Sequence, residues 1–168
     1  MELVCRIREF LDSDINFLMS LRNDMELQYL LITHPKPNST EQVKNWIMNK
    51  INSDKTIFFV IASPDNKPIG FIQASDIDMV NRICKIGLAI ENEWRRRGVF
   101  KRVISDMENY LSGSMNIRKI VAEILCVNES SRKAFESVGY EMAGILKSHY
   151  YNNGEYHDIV IYEKFTST

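Results

Sequence analysis

The residues best suited to chemistry lie between Lys85 and Lys101, in the run Lys-Ile-Gly-Leu-Ala-Ile-Glu-Asn-Glu-Trp-Arg-Arg-Arg-Gly-Val-Phe-Lys. Lys85 to Ile90 reads as a strand. Val99 to about Leu111 reads as a helix with Val99, Val103, Met107, Tyr110 and Leu111 on one apolar face. Between them sits a basic turn around Gly98. A glycine there lets the backbone approach a ligand closely. The first-turn N–H groups of the following helix lack intrahelical partners and lie at its positive end. Such a turn suits a phosphate or pyrophosphate, and Arg95, Arg96, Arg97 and Lys101 add positive charge. It is neither a Walker loop nor a three-glycine dinucleotide loop, because only one glycine is present. The same residues would also serve as an ordinary solvated turn.

The elements that must position this turn follow from periodicity. Leu3 to Glu9 alternates apolar and polar residues, as a first strand would. Asp12 can cap a helix carrying Ile15, Leu18, Met19 and Leu21, and Arg22 to Leu31 continues as a short second helix. Pro35 and Pro37 end it. Ser39 and Gln42 form a capping box for a helix to about Ile51, with Val43, Trp46, Ile47 and Ile51 as its buried stripe. Thr56–Ser63 and Ile69–Ile77 flank a Pro64-Asp-Asn-Lys turn as a hairpin, and the Lys85 strand makes a meander of three. Ile117 to Val127 is a buried strand. Asn128 caps a helix through Val138, which stops at Gly139. Tyr140–Lys147 and Tyr156–Phe165 are joined by an Asn152-Asn153-Gly154 turn. The order is β-α-α-β-β-β-α-β-α-β-β. It implies one parallel strand pair in an otherwise antiparallel sheet of about seven strands, with about four helices, in an α+β (mixed α/β) class.

At 168 residues the chain has the size of one domain, 1–168, able to bury its own core. A net charge of −1 implies no bulk attraction to nucleic acid or to a membrane surface. Nothing in the sequence reads as a signal peptide or membrane span, and a cytoplasmic location is expected. Cys5, Cys84 and Cys126 read as reduced core thiols. His34, His149 and His157 lack zinc-ligand spacing relative to them, so no metal is expected.

With these elements in place, the Gly98 segment resembles motif A of the GNAT acetyltransferases, Arg/Gln-x-x-Gly-x-Gly/Ala after a strand. Arg95-x-x-Gly98-x fits it, while Phe100 stands where the family prefers glycine or alanine. The run Asn128-Glu-Ser-Ser-Arg-Lys-Ala-Phe-Glu-Ser-Val-Gly-Tyr140 resembles motif B, with matches at Asn128, Ser131, Phe135, Glu136, Gly139 and Tyr140. The element order is that of the GNAT fold, and the tail from Gly144 to Ile159 resembles the Rim-type branch. That branch includes ribosomal-protein N-terminal, polyamine and amino-sugar acetyltransferases.

The resemblance implies acetyl transfer from acetyl-CoA, with no metal, to a primary amine on a small molecule or peptide. Three acceptors stay open: a protein N-terminus, a polyamine or other small amine, and an amino-sugar nucleotide. It implies cofactor contacts from Leu88, Ala89, Ile90, Arg95, Arg96, Arg97, Gly98, Val99, Phe100, Lys101, Asn128 and Phe135. The oxyanion contact would come from a main-chain N–H near Ala89 or Ile90. Glu123, five residues before Asn128, matches the glutamate taken as general base in the ribosomal-protein N-terminal acetyltransferases, though it also reads as an ordinary polar residue on a strand; Glu91, His149 and Asp158 are lesser candidates. Phe135 replaces the tyrosine with which many relatives protonate the thiolate. A thiol of pKa about 8.5 is a tolerable leaving group unaided; Ser131, one turn earlier, is a candidate to assist, and it also reads as a solvent-facing helix serine. Acceptor contacts are expected from Arg22, Asn23, Tyr29 and His34, and from His149 and one of Tyr150 and Tyr151, which alternate across a strand. A homodimer is possible in such a family. A GNAT-like CoA-binding sensor or scaffold without turnover is the alternative.

Overall fold

A computed structural model of the protein describes residues 4–166. Seven strands form one sheet: β1 Arg6–Arg8, β2 Ile57–Ala62, β3 Pro68–Asp78, β4 Ile83–Ile90, β5 Lys119–Leu125, β6 Glu141–Asn152 and β7 Glu155–Phe165. Their spatial order is β1-β2-β3-β4-β5-β7-β6. Five helices complete the fold: α1 Ile15–Arg22, α2 Met25–Leu30, α3 Thr40–Ile51, α4 Val99–Met115 and α5 Glu129–Ser137. Three helices precede β2, because the Arg22 to Leu31 stretch forms a helix of its own, one more than the order β-α-α-β counts. Asp12–Asp14 is a separate 3-10 turn, and its buried Asp14 receives two hydrogen bonds from the Arg8 guanidinium. The expected first-strand residues Leu3 and Glu2 lie outside the described residues.

Side-chain alternation along the strands sorts the core into two layers. Phe58 and Val60 of β2, Phe71 of β3 and Ala89 of β4 meet Leu18, Leu21, Val43 and Ile47 from α1 and α3. Trp46 of α3 sits edge-on to Phe58 and Phe71, with ring centroids 5.7 and 5.8 Å away. On the other face Ile61, Ile72, Cys84, Ile86 and Ile120 pack against Val99, Val103, Ile104, Met107 and Leu111 of α4. Two stripe residues are corrections. Ile51 is exposed because it ends α3, and Tyr110 is exposed at the edge of α4, its ring edge-on to Phe59. Ile104 takes the inward place instead.

Local signals placed several boundaries correctly. Ser39 and Gln42 form the capping box of α3. Asn153 and Gly154 both have positive φ, 52° and 86°, as a tight two-residue hairpin turn requires. β6 runs to Asn152 rather than Lys147, with register shifts at Met142/Gly144 and Leu146/Tyr150.

The pairing is irregular at the centre of the sheet. β4 and β5 are the parallel pair, and they match only at Ile83–Lys119, Cys84–Ile120 and Lys85–Val121. Beyond Lys85, β4 stays with β3 up to Gly70–Ile90, and β5 stays with β7 up to Leu125–Ile159. The two strands therefore part, and the sheet opens at its middle.

Candidate active site

The opening between β4 and β5 is the floor of a cavity of about 710 Å³. Its walls come from β4 (Lys85 to Ile90), the Arg95–Lys101 turn, β5 (Glu123 and Ile124), α5 (Asn128 to Ser137) and α2 with its following turn (Leu27 to Ile32). Both sequence motifs thus face one space from opposite sides.

Parity decides which β4 groups are free. The Glu91 N–H donates to Ile69 O across to β3, so Gly87 and Ala89, at the same parity, also turn their main-chain groups to β3. Leu88 and Ile90 turn theirs to the opening, where β5 has left. The main-chain N–H groups that face the opening at this edge are therefore those of Leu88 and Ile90, whereas that of Ala89 faces β3. Ile90 O accepts from Arg95 Nε at 2.9 Å, which fastens the start of the turn to the end of the strand.

The turn is built from left-handed residues. Arg96 has φ 60° and Gly98 φ 79°, and Gly98 is the residue that caps α4. A Cβ on Gly98 would meet no atom within 4 Å. Gly98 also lines the cavity, beside the first-turn N–H groups of α4, which lack intrahelical partners. Arg95, Arg96, Gly98, Phe100 and Lys101 line the cavity. Arg97 does not: its guanidinium lies 5.4 Å from the Trp94 ring centroid. The Val99 side chain is buried in the core. A basic, open helix start of this kind fits the pyrophosphate of CoA.

On the facing side, Asn128 Oδ1 accepts from the Ser131 N–H and caps α5. The cap uses only the oxygen, so the amide NH₂ is not consumed by it. Phe100 and Phe135, the two departures from the family pattern, touch each other. Their rings are 5.1 Å apart and nearly perpendicular, and Phe135 meets Tyr140 at 5.0 Å in the same way. The bulk at position 100 is matched by a ring without a hydroxyl at position 135.

Glu123 lies on β5 facing the cavity, and its Oε1 receives Lys85 Nζ at 2.8 Å. Lys85 also reaches Asp76 Oδ2 at 3.1 Å. Asp76 sits in the β3 bulge between Ser75 and Asp78, with φ 49°, and such a bulge re-aims a side chain. The Glu123 bond, and then Asp76, raise the Lys85 pKa and keep its ammonium charged. The Lys85 ammonium holds one oxygen of Glu123 in place, and Oε2 is outside that pair.

The expected acceptor residues divide. Arg22 lines a second, smaller cavity of about 100 Å³ against Gly87 and Leu88. Asn23 bonds Asn38 in both directions and ties down the proline loop. Tyr150 is buried, and its hydroxyl donates to Thr33 O, pinning β6 to the chain after α2. Tyr29 packs between Tyr150 and His157. His34 and His149 are exposed, and none of these five lines either cavity. The sequence reading did not assign Gln73, Ser75, Lys85, Gly87, Trp46 or Lys50 to a site, although all of them line one. Strand alternation could have put Lys85 and Gly87 on one face. The rest depend on register.

A family model described as an acetyltransferase (GNAT) domain matches residues 7–161. Spermidine N(1)-acetyltransferase of Vibrio cholerae is 20% identical over 146 residues, 87% of this chain and 84% of that protein. The putative ribosomal N-acetyltransferase YdaF of Bacillus subtilis is 28% identical over 98 residues, 58% of this chain and 54% of that protein. Among solved structures, spermidine N-acetyltransferase from Vibrio cholerae in complex with CoA and spermine superposes with a TM-score of 0.89. It is 19% identical, and the match covers 96% of this chain and 95% of that one.

Proposed function

The chain belongs to the GNAT acetyltransferase family, with acetyl-CoA as its co-substrate, and on that premise we propose that it acetylates a small primary amine by direct attack in a ternary complex. The observation that carries the proposal is the opened sheet, which brings the Gly98 turn, the Leu88 and Ile90 edge and Glu123 to one cavity. Acetyl-CoA supplies an activated thioester. The chain's own residues do the rest. Arg95, Arg96, Lys101 and the first-turn N–H groups of α4 hold the pyrophosphate, and the Asn128 amide holds the pantetheine arm. The Leu88 and Ile90 N–H groups bond the carbonyl oxygen as it gains charge. Glu123 takes the proton from the amine. The leaving sulfur departs as a thiolate, since Phe135 has no proton to give. Ser131, on the α5 wall, lines the same cavity and is the candidate hydroxyl to assist.

The test is CoA release from acetyl-CoA, followed with a thiol reagent, over amines of each class: N-terminal peptides, polyamines, small amines and amino-sugar nucleotides. Release with polyamines, small amines or amino-sugar nucleotides supports the proposal, and release with N-terminal peptides alone would overturn the small-amine acceptor. Silence with all of them by a protein that binds acetyl-CoA would overturn it. The spermidine relatives place polyamines in the first round.

The turn gives a sharper expectation. Gly98→Val puts a β-branched side chain on a left-handed residue, at a cost of about 1–2 kcal/mol, and into the space above the helix start. The KM for acetyl-CoA should rise roughly tenfold or more, equivalent to about 1.4 kcal/mol, with folding retained. An unchanged KM would mean that the pyrophosphate lies elsewhere.

A further inference from the structure

The smaller cavity lies on the α1–α3 side of β4. It shares Leu31, Gln73, Gly87 and Leu88 with the large one and is otherwise walled by Arg22, Gln28, Thr33, Trp46, Lys50 and Phe71. It therefore adjoins the Leu88 edge, where the carbonyl of the acetyl group would sit, and it lies away from the basic turn that would hold CoA.

Two cations meet in it. The Arg22 guanidinium carbon is 4.6 Å from the Trp46 ring centroid, and Lys50 Nζ is 5.4 Å from the same centroid. Neither has a carboxylate within ion-pair distance among the described residues. Arg22 is oriented by Gln28, whose Oε1 accepts from Nη1 at 2.8 Å and from the Thr33 hydroxyl at 2.8 Å. Gln28 is itself held by its Nε2 bond to Leu21 O. With Nη1 so fixed, Arg22 Nε is buried and unbonded, as is Gln73 Oε1. A buried donor without a partner is costly, and buried like charges repel. The ring contacts offset part of that cost. Burial and the charge of Arg22 both push the Lys50 pKa down, against a weaker pull from Asp76. A volume of about 100 Å³ admits a group of a few heavy atoms.

We propose that this cavity binds an anionic group of the acceptor, a carboxylate or a phosphate placed a few bonds from the amine, with the Arg22 guanidinium and Lys50 Nζ as its donors. This rests on the acetyl-transfer reading and narrows it to small amines bearing an anion. A polyamine would bring a further ammonium toward two cations, so such acceptors are disfavoured here.

Matched amines provide the test: β-alanine against its carboxamide, O-phosphoethanolamine against ethanolamine, and spermidine. The expected result is a higher kcat/KM for the anionic member of at least one pair. Lys50→Gln should lower that value by about thirtyfold, leave the neutral member within about twofold and leave the KM for acetyl-CoA unchanged. Arg22→Gln should do the same, but it also removes the hydrogen bond to Gln28, whereas each variant loses one contact with the Trp46 ring. Lys50, which makes neither hydrogen bond nor ion pair among the described residues, is therefore the cleaner variant. The phosphate and carboxylate arms separate the two kinds of anion. Equal kcat/KM within both pairs, or a preference for spermidine, would overturn the proposal while acetyl transfer stands. Calorimetry with CoA and the N-acetylated products needs no turnover. Binding of the anionic product that is lost in Lys50→Gln supports the site even if every amine is silent. Equal binding by both proteins overturns it.

Discussion

Glu123→Gln should lower kcat by roughly 10²–10⁴ at neutral pH, the usual contribution of a positioned base, and leave the KM for acetyl-CoA unchanged. The carboxylate lies across the opening from Leu88 and Ile90, and its Oε1 is fixed by Lys85. Glutamine keeps the size and the bond to Lys85 but cannot accept the proton. The loss should depend on the amine. An alkylamine with a pKa of about 10.4 is almost wholly protonated at pH 7, whereas an α-amine near 7.7–8.0 is roughly a tenth neutral. The variant's rate on an alkylamine should therefore climb about tenfold per pH unit toward the amine pKa. That climb should narrow its deficit against the wild type. Lys85→Met, which frees Glu123 without removing it, should cost less than Glu123→Gln. A kcat within threefold of wild type for Glu123→Gln at pH 7 would remove the residue from the mechanism.

A methyl group at Gly70 should be the most damaging single carbon in the sheet. A Cβ there would lie 2.2 Å from Ala89 O, 3.2 Å from Ala89 C and 3.2 Å from Ile61 Cδ1. The first two are backbone atoms of β4, held by the Gly70–Ile90 and Phe71–Ala89 pairings, so β4 has to move. Overpacking of this kind costs about 3 kcal/mol at the upper end of its usual range, a fall in Tm of roughly 10 °C for a chain of this size. The displaced segment also carries the Leu88 and Ile90 edge, so kcat should fall among the molecules that do fold. Gly113→Ala is the control of opposite sign. Gly113 lies inside α4, and a Cβ there would meet nothing within 4 Å. Alanine there should stabilise by about 0.5–1 kcal/mol. Thermal unfolding of the two variants side by side would settle both. A Gly70→Ala protein as stable as wild type would mean that β3 and β4 can separate there at little cost.

The two motifs and the elements around them were readable because each is local. A capping box spans four residues, a hairpin turn two, and a strand-turn-helix phosphate site about fifteen. What escaped the sequence is what register decides. Lys85 meets Glu123 only because β4 and β5 pair in parallel at Lys85–Val121, and the residues themselves give no sign of that offset. Tyr150 has the composition of a contact residue. It is drawn inward instead by Thr33 O and by Leu125 and Ile159. Lys50 reads as a solvated residue in the last turn of a helix, yet it meets Arg22 over Trp46. β6 gave a short strand because most of its residues are exposed on both faces, which erases the period-two signal past Lys147.

The parting of β4 and β5 also leaves the sheet in two leaves with little main-chain pairing between them. The halves β1–β4 and β5–β7 share a backbone ladder of three residue pairs; next to it the Arg118 and Lys119 N–H groups bond Arg82 O, and on the open side the Lys85–Glu123 ion pair spans the gap. If acetyl-CoA bonds the Leu88 edge on one side and Asn128 on the other, as proposed above, it would act as a splint across the two leaves. Occupancy at a hundred times Kd would stabilise the fold by about 2.7 kcal/mol. The slowing of amide exchange should concentrate at Leu88, Ile90 and the first turn of α4, while β1 and the β6–β7 turn exchange as before.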